Sequence, residues 1–511
     1  MYNKIARNRI PFLLSISKIS SMTLLSRIGG FARDMVLANS FGATMFLDAF
    51  IIAFKIPNFM RRIFAEGAFS QAFVPIFSEV QKDSAKARLF IQNTAGCLCV
   101  VLSILIGLVM LFPKAVVCLF AYGLNDNPQM LALTAKILRC TMPYLGFIAL
   151  ITLYGTVNNC YGFFTATAAV PILLNLSMIT GALVSNWFEV KIMSLAYSIP
   201  LAGFLQLAMI LFFFKGRIER PKPNWQSKKM KELLLAFGLI VGSSVITQLN
   251  LIIDTMFASF LPSGSISWLY YSDRLINLPI GLIAVSIATL LLPKLSESIH
   301  TQNLQAQQER IAWSLKLTFS GLLPCILVLS LLGIPMITTI YLHGSYSFQD
   351  AIMTHRALLA MTIGLPAFMF NKIFLMIFYA HRQLKIPSLI AIASGCMTVI
   401  LNIILIPHFQ HVALALSLSI CAWLQLFSYI TISARNGWIH CCWHGVLPWI
   451  KLTAICTCLS AILLLCVPGI EWWIHAQIFH RFEMFISISV LILCVFLFLL
   501  NHFRLMDEIL L

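Results

Sequence analysis

Long apolar segments follow one another along almost the whole chain, and they constrain its fold more than any other feature. We find fourteen of them, near residues 12–37, 46–60, 89–113, 131–158, 163–187, 193–214, 232–260, 266–293, 311–340, 353–380, 386–406, 412–434, 447–467 and 483–503. Most reach the roughly 20 residues that an α-helix needs to cross a bilayer, and they lack the alternation of porin-type barrels. Because 60% of the 511 residues are hydrophobic and only 10% are charged, we predict an all-α polytopic membrane protein with about fourteen transmembrane helices.

The distribution of lysine and arginine predicts which side of the membrane each loop faces. With the N-terminus in the cytoplasm, the inside segments contain Lys4, Arg7, Arg9, Arg61, Arg62, Lys82, Lys86, Arg88, Lys215, Arg217, Arg220, Lys222, Lys228, Lys229, Lys231, Lys294, Arg310, Arg382, Lys385, Arg435 and Arg504. The outside segments contain Lys114, Lys191 and Arg481. Because positively charged loops stay on the cytoplasmic side, we expect both termini in the cytoplasm. The net charge of +17 then reflects loops that face anionic lipid, and we expect no nucleic-acid partner.

An internal repeat divides the spans into two sets of six. The landmarks that recur are Asp34, Pro57 and Val74-Pro75-Ile76-Phe77-Ser78-Glu79 in the first half, and Asp254, Pro279 and Leu292-Pro293-Lys294-Leu295-Ser296-Glu297 in the second. Leu174-Asn175 and Leu401-Asn402 lie in the matching fifth spans. Since six is even, the lobes share one orientation and are related by a pseudo-twofold along the membrane normal, with the substrate path between them. We predict an N-terminal lobe at 1–214, a basic cytoplasmic linker at 215–231, a C-terminal lobe at 232–434, and appended helices 13 and 14 at 435–511.

Several charged residues lie inside the predicted spans, where an ionised side chain costs at least about 2.5–3.5 kcal/mol. They are Arg27, Arg33 and Asp34 in span one, Asp48 and Lys55 in span two, Asp254 in span seven, and Asp273 and Arg274 in span eight. Arg27 and Asp34 are seven residues apart and share a helix face. The arginines exceed what their neighbours need for neutralisation, and guanidinium groups suit phosphate oxygens in two-point contact. A cationic cavity for a phosphate or pyrophosphate is therefore predicted.

Several charged residues and the cysteines also have purely structural explanations. Asp34 and Asp48 equally fit ion pairs that tie helices together. Lys136, Arg139, Arg356 and Lys372 lie near helix ends, where snorkelling explains them. The segment 64–73 is predicted as an amphipathic interfacial helix, in which Glu66 pairs locally with the arginines one turn earlier. The close cysteine pairs, Cys97 and Cys99, Cys441 and Cys442, and Cys456 and Cys458, have no zinc-ligand spacing and suit buried apolar positions.

The first 80 residues carry a specific resemblance. Ser26-Arg27-Ile28-Gly29-Gly30-Phe31-Ala32-Arg33-Asp34, Asp48-Ala49-Phe50, Phe54-Lys55-Ile56-Pro57-Asn58, the run from Arg61-Arg62-Ile63-Phe64-Ala65-Glu66-Gly67-Ala68 to Val74-Pro75, and Ser267-Trp268-Leu269-Tyr270-Tyr271-Ser272-Asp273-Arg274-Leu275 closely resemble the lipid II flippase (MurJ/MviN) family. The resemblance implies the fold of the multidrug/oligosaccharidyl-lipid/polysaccharide exporters, with two six-span lobes and two C-terminal helices. It also implies translocation of the undecaprenyl-pyrophosphate-linked peptidoglycan precursor, lipid II, from the inner to the outer leaflet of the bacterial cytoplasmic membrane.

The resemblance also implies particular site residues. The cavity arginines of the family fall on Arg27, Arg33, Arg61 and Arg274, and its cavity aspartate falls on Asp34. Supporting or gating roles are expected for Asp48, Lys55, Glu66, Asp254, Asp273 and Asn277, where Asn277 replaces an acidic residue of some members. Asp254 and Asn402 match part of a sodium site, but Ile406 stands where that site has a carboxylate, so no metal is expected. Spans 13 and 14 are expected to form a groove for the polyprenyl tail.

These features together predict an alternating-access transporter and not an enzyme. The chain has no P-loop, so we expect no cofactor and a drive from the membrane potential or an ion gradient. Lipid II, membrane lipids and the cell-wall synthesis machinery are the expected partners of a monomer. One alternative is another polyprenyl-linked oligosaccharide flippase or a drug exporter of the same fold. A polytopic lipid-phosphate enzyme is a weaker alternative, because the aspartates are scattered and no Asp-x-Asp occurs.

Overall fold

The computed structural model describes residues 2–64, 68–214, 216, 218–439, 453–454, 456–457, 460 and 467–502. Within these ranges the regular elements are helical. The first half contains α1 (Tyr2–Phe41), α2 (Met45–Phe64), α3 (Ala68–Val80), α4 (Ser84–Leu111), α5 (Pro113–Phe120), α6 (Pro128–Thr141), α7 (Tyr144–Cys160), α8 (Thr165–Leu183), α9 (Ile192–Phe212) and α10 (Lys228–Ala258). The second contains α11 (Ser265–Pro279), α12 (Val285–His300), α13 (Leu304–Leu331), α14 (Gly333–Tyr341), α15 (Phe348–Ala380), α16 (Lys385–Phe409), α17 (His411–Arg435), α18 (Ile470–His475) and α19 (Ile478–His502). Short 3₁₀ turns cover Tyr122–Asp126 and Ser185–Trp187, and a π-helical turn, Ile280–Ala284, joins α11 to α12.

Ten helical stretches of the described residues are long and apolar enough to cross a membrane. They coincide with ten of the predicted segments and run over Ser84–Leu111, Pro128–Cys160, Thr165–Leu183, Ile192–Phe212, Ser265–His300, Leu304–Leu331, Phe348–Ala380, Lys385–Phe409, His411–Arg435 and Ile478–Phe498. Three further segments fall on α1, α2 and α10, and the segment 447–467 lies mostly outside the described residues. The all-α polytopic class is therefore confirmed, and the number fourteen stays a prediction.

The internal repeat is visible in the helix boundaries. The helices α4 and α13, α5 and α14, and α8 and α16 begin about 220 residues apart, and the stretch Pro128–Cys160 recurs as Phe348–Ala380. The two Pro-x-x-Ser-Glu segments also share a local geometry, because Ser78 Oγ donates to Val74 O and Ser296 Oγ donates to Leu292 O, each at 2.8 Å. Both hydroxyls thus bond the carbonyl four residues earlier, in the turn that precedes the shared proline.

Two compact units make up the chain, Met1–Ser263 and Gly264–Leu511. The helix α10 belongs to the first unit by packing, where Phe237 contacts the edge of Phe69 with ring centroids 6.3 Å apart. The pair Lys229–Glu79 further fastens the start of α10 to the end of α3, and it raises the pKa of Lys229. The repeat predicts α10 as the first helix of the second lobe. The repeat unit and the packing unit therefore differ by this one helix.

The helix α3 carries the described part of the amphipathic segment predicted at 64–73. Its apolar face bears Phe69, Phe73 and Phe77, which stack at successive turns with centroids 5.3 Å apart. Phe90 of α4 stacks on Phe73 at the same distance. The amphipathic pattern is therefore real, but this face packs on protein and not on lipid. Glu66 lies among residues 65–67, outside the described residues.

The basic linker runs along α4. Gln92 Nε2 donates to Arg220 O at 2.8 Å, and Lys222 N donates to Gln92 O at 3.3 Å. A Cβ on Gly96 would lie 2.3 Å from Pro223 N, so only glycine leaves room for this backbone. At the start of α4, the Asp83 carboxylate accepts bonds from the backbone of Ala85 and Lys86, and the bond from Lys86 N is the main reason for its lowered pKa.

Candidate functional site

The first unit buries a charged pair on α1. Arg33 is 7% exposed and Asp34 is 2% exposed. Arg33 Nε and Nη2 both donate to Asp34 Oδ1, at 3.0 and 2.7 Å. Arg33 Nη1 donates to Asn175 Oδ1 of α8 at 3.0 Å and lies 3.9 Å from Met178 Sδ. All three guanidinium nitrogens therefore have partners inside one unit, which fixes the orientation of the plane.

Asn175 joins this pair to the preceding turns of α1. Its Nδ2 donates to Ser26 O at 3.0 Å, so one amide spans the stretch from Ser26 to Arg33. Gly29 and Gly30 lie between these points, and a Cβ on either would come within 3.6–3.7 Å of Asn175. The two glycines of the motif thus place no side chain on α1 at the point where Asn175 of α8 packs against it. The sequence marked Asn175 only as part of the repeat; its signal as a site residue was an amide inside an apolar span.

A hydrogen bond from Lys55 to Thr255 connects α2 to α10 within the same unit. Asp48 is 1% exposed, and Lys55, half-buried two turns later on the same helix, donates from Nζ to Thr255 Oγ1 at 3.2 Å. Asp254 precedes Thr255 and lies in this unit, whereas Asn402 lies in the other. The two residues that match part of a sodium site therefore belong to different units. Among the described residues, no group of three or more His, Cys, Asp or Glu side chains could hold a metal ion.

The other predicted arginines of the first unit are less enclosed. Arg27 is exposed on α1, one and a half turns before Arg33. Arg61 is half-buried near the end of α2, and Arg62 beside it is exposed. The structure thus brings Arg33, Asp34 and Asn175 into one network, and it leaves Arg27 with an accessible charge.

In the second unit the predicted residues share one exposed face of α11. Arg274 Nη2 donates to Tyr270 Oη at 3.2 Å, and its guanidinium carbon lies 4.8 Å from the centre of the Tyr270 ring. Asn277 Nδ2 donates to Asp273 O at 2.8 Å. The opposite face of α11 is buried, and there Ser272 Oγ donates to Thr354 O of α15 at 2.7 Å. The helix therefore presents an exposed guanidinium whose orientation is set by stacking on the Tyr270 ring.

The second unit also has an apolar cavity of about 620 Å³ that opens to its surface, where Leu282 and Leu493 are exposed. It lies between the end of α11, the π-helical turn, α13, α14 and α19, and it is lined by Leu275, Leu278, Pro279, Leu282, Ile283, Leu317, Ser320, Gly321, Pro324, Cys325, Val328, Leu329, Met336, Ser489, Ile492, Leu493, Phe496 and Leu497. Ser320 and Ser489 supply its only hydroxyl groups. The volume lies within the roughly 300–1,000 Å³ range of ligand sites, and the lining suits a hydrocarbon chain. Among the described residues, the appended helices contribute to it through α19.

Comparison with known proteins places these features in a family. The family model described as "Lipid II flippase MurJ" matches residues 37–494. The probable lipid II flippase MurJ of Buchnera aphidicola subsp. Baizongia pistaciae is 37% identical over 420 residues, which are 81% of this chain and 82% of the relative. That of Haemophilus influenzae is 34% identical over 493 residues, 92% of this chain and 96% of the relative.

Solved structures agree with this assignment. A structure described as lipid II flippase MurJ in an inward closed conformation aligns with a TM-score of 0.79 and 26% identity, covering 94% of this chain and 98% of that one. A structure described as an inward-facing multidrug resistance MATE family transporter of the MOP superfamily aligns with a TM-score of 0.65 and 14% identity over 83% of this chain and 99% of that one, which shows a shared fold alone. By the family match and the extent of these relatives, the chain belongs to the lipid II flippase MurJ family.

Proposed function

We propose that this protein moves lipid II from the inner to the outer leaflet of the bacterial cytoplasmic membrane, as a transporter and not as an enzyme. The observation that carries the proposal is the match to the lipid II flippase family across residues 37–494. The buried Arg33 and the exposed, stacked Arg274 support it, because a pyrophosphate carries the charge that guanidinium groups recognise. Other polyprenyl-linked oligosaccharides and drugs are alternative cargoes within the same fold.

The arginines have two different roles in this proposal. Asp34 and Asn175 fix the guanidinium plane of Arg33. Arg33 therefore contributes positive electrostatic potential from a fixed position. Arg27 and Arg274 are exposed, so the phosphate oxygens of the head group can reach their guanidinium groups. Arg61, half-buried at the end of α2, adds positive charge to the cavity. Alternating access of the two lobes then exposes this cationic cavity to each leaflet in turn.

The lipid tail remains in an apolar environment throughout the proposed cycle. We assign an isoprenoid stretch of the tail to the cavity in the second unit, since its lining carries hydroxyls only at Ser320 and Ser489. The family resemblance implies a tail groove formed by spans 13 and 14, and α19 is the described part of that pair. Because the tail is already in the apolar bilayer, its transfer into this cavity brings little hydrophobic free energy, and van der Waals packing against the lining would hold it there.

The membrane potential is the driving force that we propose for transport. The membrane potential is worth about 2.3 kcal/mol per elementary charge at 100 mV, and an anionic head group couples to it directly. An ion gradient is the alternative. We propose a monomer with both termini in the cytoplasm, surrounded by membrane lipids and acting beside the cell-wall synthesis machinery.

Depletion of the protein in its host tests the proposal. We expect lipid II to accumulate while the fraction accessible on the outer leaflet falls, and re-expression of the wild-type protein to restore it. Unchanged outer-leaflet lipid II during depletion would contradict the proposal. Loss of a different polyprenyl-linked sugar from the outer leaflet would favour the oligosaccharide alternative.

A further inference from the structure

Arg481 is a buried cation near the start of α19, and its partners are backbone carbonyls. It is 7% exposed. Its Nε donates to Ala476 O at 2.8 Å, and Nη2 donates to Ile474 O at 2.7 Å. Nη1 donates to Thr338 O and Leu342 O, both at 3.3 Å. The sequence pattern placed this arginine among the outside loop charges, but the structure encloses it.

The four acceptors lie at the C-terminal ends of two helices. Ile474 O and Ala476 O lie at the end of α18, and Leu342 O follows the last residue of α14. Thr338 O, in the last turn of α14, also accepts a bond from Leu342 N. The last carbonyls of a helix have no partner within it and carry the negative end of its dipole. A guanidinium reaches acceptors on two helix ends at once because its five donors point outward from one plane, whereas the three donors of an ammonium group all lie on a single nitrogen. Arg481 thus caps α14 and α18 together and fastens α19 to both.

The same helices form walls of the apolar cavity. Met336 of α14 lines it, and Ser489, Ile492 and Phe496 line it from α19. Ser489 lies eight residues beyond Arg481, about 12 Å along the helix. Trp473 of α18 is fully buried in a cluster with Leu332 and Ile492, and Ile492 also lines the cavity. The distance between the α14 and α19 walls is therefore set next to Arg481.

We propose that Arg481 is a positioning residue for the lipid tail: it holds α19 against α14 at the spacing at which the cavity admits a polyprenyl chain. It does not touch the chain itself. The inference rests on the proposed function only in naming the occupant of the cavity. The anchoring of α14, α18 and α19 is a separate consequence that can be measured without any lipid.

The test uses the purified full-length protein and a photoreactive undecaprenyl phosphate, which has the tail and no sugar-peptide head. Wild type, Arg481→Lys and Arg481→Gln are compared with Arg435→Gln, which removes one positive charge from the exposed end of α17. Cross-linked peptides report tail binding in the cavity, and hydrogen exchange of residues 333–342 and 470–476 reports the two capped helix ends.

We expect wild type and Arg435→Gln to cross-link equally at cavity residues. Arg481→Gln should lose on the order of tenfold in apparent affinity, as for one lost charge-assisted contact, with Arg481→Lys between them. Both helix ends should exchange fastest in Arg481→Gln, at an intermediate rate in Arg481→Lys, and at the wild-type rate in Arg435→Gln. Wild-type cross-linking and exchange rates in Arg481→Gln would overturn the proposal. If the wild type never cross-links in the cavity, the assignment of the tail is wrong, and the exchange rates still decide whether Arg481 anchors α19.

Discussion

The two units repeat one helical plan but line it with different chemistry. In the first unit α2 carries Asp48 and Lys55, and α1 buries Arg33 against Asp34. About 220 positions after Asp48 and Lys55 stand Trp268 and Leu275, of which Leu275 is fully buried and lines the apolar cavity. The helical plan therefore does not require the charges. The second unit instead carries Asp273 and Arg274 on the exposed face of α11. Because charges are costly in a membrane, we propose that the first unit carries most of the head-group charge and that the second combines Arg274 with the apolar cavity for hydrocarbon.

We expect the largest effect from the loss of Arg33, because it removes a buried charge that distinguishes the first unit from the second. Arg33→Ala leaves Asp34 buried without its guanidinium, at a cost of about 3–5 kcal/mol in the free energy of unfolding. It should also abolish support of cell-wall synthesis in a depleted strain. The double variant Arg33→Ala/Asp34→Ala removes both charges, so it should recover the stability and not the transport. Growth with that double variant at matched membrane levels would show that the pair is only structural.

Asn175 and Asn402 sharpen the comparison, since they are the same residue type in matching spans. Asn175→Leu removes an acceptor from the Arg33 guanidinium, and we expect a loss of about 1.5–3 kcal/mol in unfolding free energy with reduced outer-leaflet lipid II. Asn402 is fully buried, and no described residue bonds its amide, so Asn402→Leu should be neutral or stabilising. Thermal unfolding and lipid II accessibility measure both variants. Equal losses in the two would argue that the asymmetry between the units is not functional.

Arg274 is the main cationic residue that we assign to the head-group site in the second unit. Arg274→Lys keeps the charge but loses the planar fork, so transport should fall by an amount on the order of 1–3 kcal/mol in apparent activation. Tyr270→Phe is the matched control, because it removes the hydroxyl bonded to Arg274 and retains the ring below the guanidinium. Outer-leaflet lipid II at equal expression is the measurement. Full activity of the lysine variant would rule out two-point phosphate contact at this position.

The smallest expected effect concerns pH, which should act on the second unit alone. All eleven histidines follow residue 263. Burial lowers the pKa of His381 below its usual 6.5, and burial together with the nearby Arg481 lowers that of His343. The unfolded chain then binds more protons than the native one, so stability is full above pH 6.5 and falls as the pH drops below it, by less than about 1.4 kcal/mol per unit of pKa shift and site.

Hydrogen exchange measured at pH 7.5 and at pH 5.5 tests whether the two units differ in their stability towards acid. Peptides of the second unit should lose protection at the lower pH, whereas peptides of the first should not. His343→Gln and His381→Gln should each remove part of the effect. Equal acid sensitivity in the two units would contradict its assignment to these histidines.

Much of the fold was predictable because span length and charge position are local properties. The apolar runs gave the spans, and the cost of charges in lipid selected Arg33, Asp34 and Asp48, which the structure buries. The partners of these charges were not predictable. Arg33 meets Asn175 from 142 positions away, and that contact exists only once α1 packs on α8. Arg481 looked like a loop charge because a sequence cannot show that two helix ends converge on it.

Reconstitution tests the central claim most directly. Purified protein in liposomes, with lipid II placed in one leaflet and a membrane potential applied, is assayed for lipid II in the opposite leaflet and for its chemical integrity. We expect intact lipid II to cross with the wild-type protein and not to cross with Arg33→Ala/Asp34→Ala. Equal crossing with that variant, or chemical turnover of lipid II in place of movement, would contradict it.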